Sequence, residues 1–443
     1  MVNIIPFNGY RFNPEKVSSL GNVMAPPYDT ISASEQEDLY KRDKYNIVRL
    51  NKGAHLPTDN DSDNPYSRAE KLLGDWIKAD ILVRDSEPCF YLYEQQVVYK
   101  NTTYTNLGLV GLLELQDLNS NNILQCEKAN EKTLSARSEL LRYTKSNFSM
   151  INCIYMEYEK AIMNKLNDIA EKNEPVMDFI TKETVIGEGV TQKLWRISDK
   201  KTIDFIRNIL KNHTFYIADG QTRYEVSLAY KKECEKNNPI HTGKEPYNYI
   251  MTLFTNAYDD GLIQLPVHRL IKFPKKVSED FFVACAQDYF KVEKIIVDTA
   301  NDGFFDTMKK QIATRNENKF ALYFGENYFY RLTLKNMKRL KELLPDSSDA
   351  YRLLDANVIR YLILKELLNM SDEQITEYVS YTPRSSVGMK AVQNGEFNCM
   401  IAVNPVKADQ ICNVATAHER MPERSMFIFP KASTGAVIYK MGD

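Results

Sequence analysis

The sequence has no long Lys/Arg block and no basic excess: 57 Lys and Arg stand against 59 Asp and Glu, a formal net charge of −2, with the two signs interspersed along all 443 residues. Binding to a phosphate backbone needs clustered positive charge, so nucleic acid is not an expected partner. Cysteine is thinly spread. Cys89, Cys126, Cys153, Cys234, Cys285, Cys399 and Cys412 are odd in number and contain no Cys-x-x-Cys pair, which argues for reduced thiols rather than a disulfide framework. The five histidines are scattered as well and give no structural zinc pattern. The N-terminus lacks a basic region followed by an apolar core, and no apolar run approaches the length that spans a bilayer. The expectation is a soluble, cytoplasmic protein with no membrane partner, either monomer or dimer. There is no Gly-x-x-x-x-Gly-Lys-Ser/Thr loop and no protein-kinase signature set, so neither common nucleotide cradle is supported. No internal repeat and no low-complexity tract occurs.

What is there is ordinary globular chain, 43% hydrophobic and long enough for two or three domains. Alternating strand and helix patterns predict an α/β protein mixed with α+β elements. Asn3 to Phe12 read as an edge strand, Tyr45 to Leu50 as a strand, and Ser67 to Ala79 as a helix with Leu72, Leu73, Trp76 and Ile77 on its core face. Phe90 to Tyr99 and Tyr104 to Leu115, flanking Lys100-Asn101-Thr102-Thr103, read as a hairpin. A helix is expected over Ser138 to Lys145 and another over Asp355 to Leu368. Asn404-Pro405 reads as an N-cap and first-turn pair, and Phe427 to Phe429 with Ala436 to Tyr439 as a final hairpin.

The stretch with most chemistry is Phe215 to Glu225. Phe215 to Ala218 read as a buried strand, Asp219-Gly220 as a tight turn, and Thr222-x-x-Glu225 as a capping box opening a helix. Free N–H groups at a helix start favour an anion, and a guanidinium at Arg223 can grip two phosphate oxygens. Asp219 can hold a metal or accept a proton. The plainer alternative is that Gly220 makes a turn, Thr222 caps, and Arg223 and Asp219 pair. Pro26-Pro27 fixes the backbone before Tyr28 and Asp29, a rigid place for site residues; a loop before a helix capped by Ser32 with Glu35 is the alternative.

Asp219-Gly220-Gln221-Thr222-Arg223 resembles the Asp-Gly-His-x-Arg signature of the ParB/sulfiredoxin-like superfamily. One branch of it, long labelled a domain of unknown function and including pyrophosphate-dependent serine kinases, carries further motifs in the same order. The matching stretches are Ala25-Pro26-Pro27-Tyr28-Asp29, Asn46-Ile47-Val48-Arg49, Asn130-Glu131-Lys132-Thr133, Leu265-Pro266-Val267-His268-Arg269, Met421-Pro422-Glu423-Arg424-Ser425 and Phe429-Pro430-Lys431. Two positions depart from the pattern, where Gln221 and Asn130 stand in place of histidines. Neither titrates near neutral pH, so a proton shuttle there is not available.

The resemblance implies a ParB/sulfiredoxin-like catalytic core at residues 126–272, an N-terminal α+β region at 1–125 and a C-terminal α/β region at 273–443 that contributes to the site. It also implies transfer of a phosphoryl group from inorganic pyrophosphate to free L-serine, giving O-phosphoserine, with Mg2+ as cofactor and a place in serine metabolism and cysteine biosynthesis. Glu131 is then the base, and Asp219 holds Mg2+ or orients the nucleophile. Gly220, Gln221, Thr222, Arg223, Arg49, His268, Arg269 and Lys431 hold pyrophosphate, and Tyr28, Asp29 and Asn46 contact the substrate. A phosphoserine phosphatase, a nucleotide-dependent serine kinase and a ParB-like nucleic-acid-binding regulator are the alternatives.

Overall fold

Along the strand Phe90–Tyr99, Tyr91 and Tyr93 face one apolar core while Phe90 and Leu92 face another, so the sheet to which it belongs is covered on both sides. That sheet belongs to the larger of two compact units in a computed structural model of the chain, which describes residues 1–99, 101–129, 131–181, 189–297, 303–314 and 317–442. The first unit comprises Met1–Gln125, Ala129–Ile263 and Pro430–Asp443, the second Cys126–Lys128 and Gln264–Phe429. These units do not follow the three segments expected from sequence. The first 125 residues and most of the central segment build one body, and the last fourteen or so residues return to it through backbone pairing.

The first unit is a mixed α/β structure around a nine-stranded sheet. Its strands are β1 (Ile4–Ile5), β2 (Phe90–Tyr99), β3 (Thr102–Glu114), β4 (Ile123–Gln125), β5 (Ile151–Tyr155), β6 (Met177–Thr181), β7 (Val190–Ile197), β8 (Phe215–Asp219) and β9 (Tyr249–Asn256). They lie in the order β4-β8-β5-β9-β3-β2-β7-β6, with β1 against β3. Two pairs are parallel, β4 with β8 and β5 with β9; the rest are antiparallel. The hairpin β2–β3 appears where its aromatic and β-branched run predicts it, although Lys100 of its turn lies outside the described residues.

Besides the single turn Leu20–Val23, the α-helices of this unit are α1 (Ala33–Arg42), α2 (Val48–Asn51), α3 (Pro65–Lys78), α4 (Glu131–Thr144), α5 (Ala161–Lys172), α6 (Lys200–Leu210) and α7 (Gln221–Asn237). Ser32 and Glu35 form the expected capping box of α1, and Asn64 caps α3 ahead of Pro65. Ile162 and Leu166 of α5 and Ile206 and Leu210 of α6 cover one sheet face; Leu73 and Trp76 of α3 and Leu140 and Leu141 of α4 cover the other.

Three local expectations fail here. Tyr45 to Leu50 is not a strand but leads into the short helix α2: Asn46 Oδ1 accepts the Val48 N–H at 2.9 Å and the Leu50 and Asn51 N–H groups bond back to the Ile47 carbonyl, so the backbone closes on itself in a turn. Helix α4 begins at Glu131 rather than Ser138, so Glu131 sits in its first turn, where its charge suits the helix dipole. The C-terminal hairpin is absent. Tyr439–Lys440 pairs with Ser146–Asn147 and Ile438 bridges to Tyr10, so the tail joins the first unit, whereas Phe427–Phe429 belongs to the second.

The second unit has a six-stranded antiparallel sheet of β10 (His268–Ile271), β11 (Phe290–Ile296), β12 (Lys319–Tyr323), β13 (Tyr328–Leu334), β14 (Val379–Thr382) and β15 (Cys399–Ala402) in the order β11-β13-β12-β15-β10-β14. The apolar helix expected from Asp355 is a single α-turn to Val358 that widens into a π-helix over Ile359–Leu367. Asn404 does not cap the helix Ala408–Thr416; it donates to the Ile312 carbonyl, and Lys407 takes the cap position.

Candidate active site

Helix α7 springs from the end of β8 through Gly220, whose φ of +88° is open to glycine and strained for other residues. A Cβ there would stand 2.7 Å from Arg223 Nη2 and from Ile151 Cγ2. Gly220→Ala is therefore expected to destabilise the protein by about 1–3 kcal/mol, the usual cost of such a backbone conformation for a residue with a Cβ. Denaturant unfolding checks this, and an unchanged midpoint would contradict the reading. Gly220 itself occupies the cap position, so Thr222 is not the capping residue expected from sequence. Thr222 is instead buried inside the first turn.

Asp219, at the strand end, is flanked by two cations. Arg223 Nη2 donates to Oδ2 at 2.8 Å, one helical turn away, and Lys431 Nζ donates to Oδ1. Burial works against the charge on Asp219, but Lys431 and then Arg223 outweigh it and hold the carboxyl below its ordinary range. Asp219 is thus a carboxylate at neutral pH and a poor proton acceptor, suited to holding the cations in place. Lys431 is positioned by its own loop. Gln95 Nε2 holds its carbonyl at 3.0 Å, Ser433 N donates to Tyr93 Oη at 3.1 Å, and Gln192 Nε2 reaches Ser433 Oγ at 2.7 Å. Thr434 exchanges backbone hydrogen bonds with Ala25, whose loop carries Pro26, Pro27 and Tyr28. Three stretches far apart in sequence therefore meet in the first unit.

Two buried amides stand beside Asp219 without hydrogen-bond partners for either polar atom. One is Gln221, 8% exposed; the other is Gln125, 6% exposed, across the ladder from Ile217. Buried amide atoms normally have a partner, so these two are placed to bind an ordered water, an ion or a polar ligand. They lie at the carboxyl ends of the parallel pair β4 and β8, where open α/β sheets place ligands.

Sequence reasoning missed Arg137 and Lys52. Arg137 of α4 stacks on the Tyr28 ring with its guanidinium carbon 4.1 Å from the centroid and donates Nη1 to the Asn51 carbonyl at 2.8 Å. Together with Arg223, Asn51, Ser149 and Ser227 it lines a cleft. Burial pushes its pKa down, and Arg223 adds to that. Lys52 Nζ donates to the carbonyls of Tyr28, at 2.9 Å, and Ile31; burial and then Arg137 lower its pKa, while Asp29 opposes them. The available signal for Arg137 was its position one helical turn after Thr133, whose Oγ1 lies 3.5 Å from Tyr28 Oη.

The remaining predicted residues divide. Tyr28 is buried under Arg137, Asp29 is exposed nearby, and Glu131 is exposed in the first turn of α4. Asn130 lies outside the described residues. Asn46 does not serve as a substrate contact: Nδ2 donates to Asn22 and Met24 carbonyls at 2.7 and 2.9 Å and Oδ1 accepts from Val48, so its amide is fully engaged. Arg49 stacks 4.2 Å above the Tyr40 ring and donates to the Tyr40 carbonyl at 2.7 Å rather than joining Asp219.

His268 and Arg269 belong to the second unit. His268 Nδ1 accepts the Val403 N–H at 3.3 Å, its ring meets Phe305 edge-on, and burial followed by Arg269 lowers its pKa to about 3. Arg269 faces Tyr381 and donates to the Val267 carbonyl. In the same unit Glu127 Oε1 accepts the N–H groups of Ser425 and Met426 at 3.0 and 2.9 Å, which fixes the end of the Met421–Ser425 motif.

The His268 shift fixes a pH dependence. A folded pKa of about 3 against an ordinary 6.5 means the unfolded chain binds a proton that the native state refuses between those values. Stability contributed by neutral His268 is then full above pH 6.5 and falls on acidification toward about 3. His268→Gln is expected to flatten the loss of stability from pH 7 to pH 4, measured by urea unfolding. An identical slope would contradict this.

Among the described residues there is no ready-made set of ligands for a resident magnesium ion. Both oxygens of Asp219 already take cations, and no cluster of three His, Cys, Asp or Glu suited to a metal occurs among the described residues.

A family model described as a protein of unknown function, DUF1015, matches residues 4–357, well over half of the chain. The chain belongs to the DUF1015 family. No curated protein matches this DUF1015 chain. Among solved structures it is similar to a conserved hypothetical protein from Pyrococcus furiosus, with 10% identity, a TM-score of 0.32, and coverage of 73% of this chain and 92% of the other. It is also similar to a free serine kinase in complex with AMP (11% identity, TM-score 0.32, 72% and 86% covered) and to a mutant free serine kinase in complex with ADP (10%, 0.34, 72% and 86%). No helix among the described residues is long and apolar enough to cross a membrane.

Proposed function

We propose that this chain is a kinase that moves a phosphoryl group from inorganic pyrophosphate to the hydroxyl of free L-serine. The observation that carries the reading is the pocket of Asp219, Gly220, Gln221, Arg223 and Lys431, with Arg137 close by. It gathers cations, an uncapped helix start and an unpartnered amide where two of the motif stretches shared with serine kinases converge. Phosphoryl transfer asks mainly for positioning and charge neutralisation, and these residues supply both.

In this account the diphosphate lies at the start of α7 against Gln221, Arg223 and Lys431. Asp219 keeps the two cations oriented. The carboxylate of Glu131 accepts the serine hydroxyl proton as that oxygen bonds to phosphorus, and the bridging P–O bond breaks to release inorganic phosphate. Magnesium, implied by the resemblance, is supported by no cluster of ligands here. The motif resemblance, rather than the pocket, favours pyrophosphate and serine over other donors and acceptors.

The test against a phosphatase uses phosphoserine as the only substrate. A kinase of this kind returns serine and pyrophosphate only when inorganic phosphate is added. Release of phosphate from phosphoserine alone would overturn the proposal.

A further inference from the structure

Arg137 is a guanidinium of this site with no ion-pair partner among the described residues. Asp219 answers Arg223 and Lys431, but no carboxylate lies within ion-pair distance of Arg137 among the described residues; Asp29 acts on it only through space, and Arg223, of the same sign, opposes that attraction. A guanidinium withdrawn from water without a counter-charge is unfavourable, so its presence asks for an anion. Its edges are unequal. Nη1 is engaged by the Asn51 carbonyl at 2.8 Å and the Asn51 side-chain oxygen at 3.3 Å, while buried Nε has no partner. The flat face is held against Tyr28. What remains is the Nε–Nη2 edge, the fork that matches the two oxygens of a carboxylate. The same helix carries Glu131 in its first turn, and Tyr28 touches both Thr133 and Arg137, so this fork and the proposed base share one rigid element.

We infer that Arg137 is the specificity-determining residue for the acceptor, its unpartnered Nε–Nη2 edge binding the carboxylate of an amino-acid substrate while Arg223 and Lys431 serve the phosphoryl donor. The inference rests on the kinase reading and adds a division of labour among the cations. It also says that the acceptor must be a hydroxy amino acid rather than an amino alcohol. A site built around such a fork rejects a ligand lacking the carboxylate, because the guanidinium is then left buried and unpaired.

The experiment compares L-serine with ethanolamine, which keeps the hydroxyl and ammonium and lacks the carboxylate, in the full-length protein and in Arg137→Lys. Wild type is expected to prefer serine by about 100-fold or more. The lysine variant keeps the charge and loses the fork, so KM for serine should rise about tenfold or more, well beyond any change in the KM for pyrophosphate. A serine KM that does not move overturns the inference, and so does a change confined to the KM for pyrophosphate. If Arg137→Lys does not fold, the wild-type comparison decides, and efficient phosphorylation of ethanolamine overturns it. Wild type silent toward serine with every donor would overturn the kinase reading, and this inference with it.

Discussion

Glu131→Gln is expected to lower phosphoserine formation by about 100-fold or more, the range that one positioned general base contributes, while leaving pyrophosphate affinity within about twofold. The split follows from position. Glu131 lies on α4, exposed in its first turn, whereas the cations that take the donor lie on α7 and on the loop around Lys431. Glutamine keeps the size and some hydrogen bonding and cannot accept a proton. Single-turnover rates with donor affinity measured separately check it. Near-normal turnover would remove Glu131 from the chemistry, and a large loss of affinity would move it into the donor site.

Arg223→Ala should behave in the opposite sense, weakening pyrophosphate binding by about 10- to 100-fold and lowering the rate as well, since hydrogen bonds to charged groups are worth about 1.5–3 kcal/mol. Arg223→Lys should recover only part of this, because an ammonium supplies a point charge without the fork. The variant also leaves Asp219 with Lys431 alone, so the folded fraction is to be measured beside the affinity. Unchanged affinity in a folded Arg223→Ala protein would dissolve the anion cradle.

Much of this site was legible in the sequence because its parts are local. The strand, turn and helix of Phe215 to Glu225 follow from an apolar run, a glycine and a helical pattern, and β8 and α7 appear where those signals place them. What could not be read locally was which distant side chains converge. Asn46 carries the same signal as a substrate contact and as a clamp on the Met24 carbonyl; only the tertiary structure shows that its amide is engaged. Arg49 and Arg137 are equally plain arginines in the sequence. The fold gives one to Tyr40 and leaves the other under the influence of Arg223 with no ion pair among the described residues. The strand expected at Tyr45 to Leu50 failed because β-branched residues report burial as well as backbone preference, and here the buried residues lie in a turn closed by the Asn46 side chain. The final hairpin failed because Tyr439 pairs with Asn147, a partner that no local pattern announces.

The most direct measurement follows phosphorus in a reaction of the full-length protein with L-serine and Mg2+, given pyrophosphate, ATP or ADP as the only donor. The account predicts one phosphoserine and one phosphate for each pyrophosphate consumed, and no phosphoserine from either nucleotide. Activity with a nucleotide alone would contradict the assignment of the donor, and the absence of phosphoserine with all three would contradict the kinase itself.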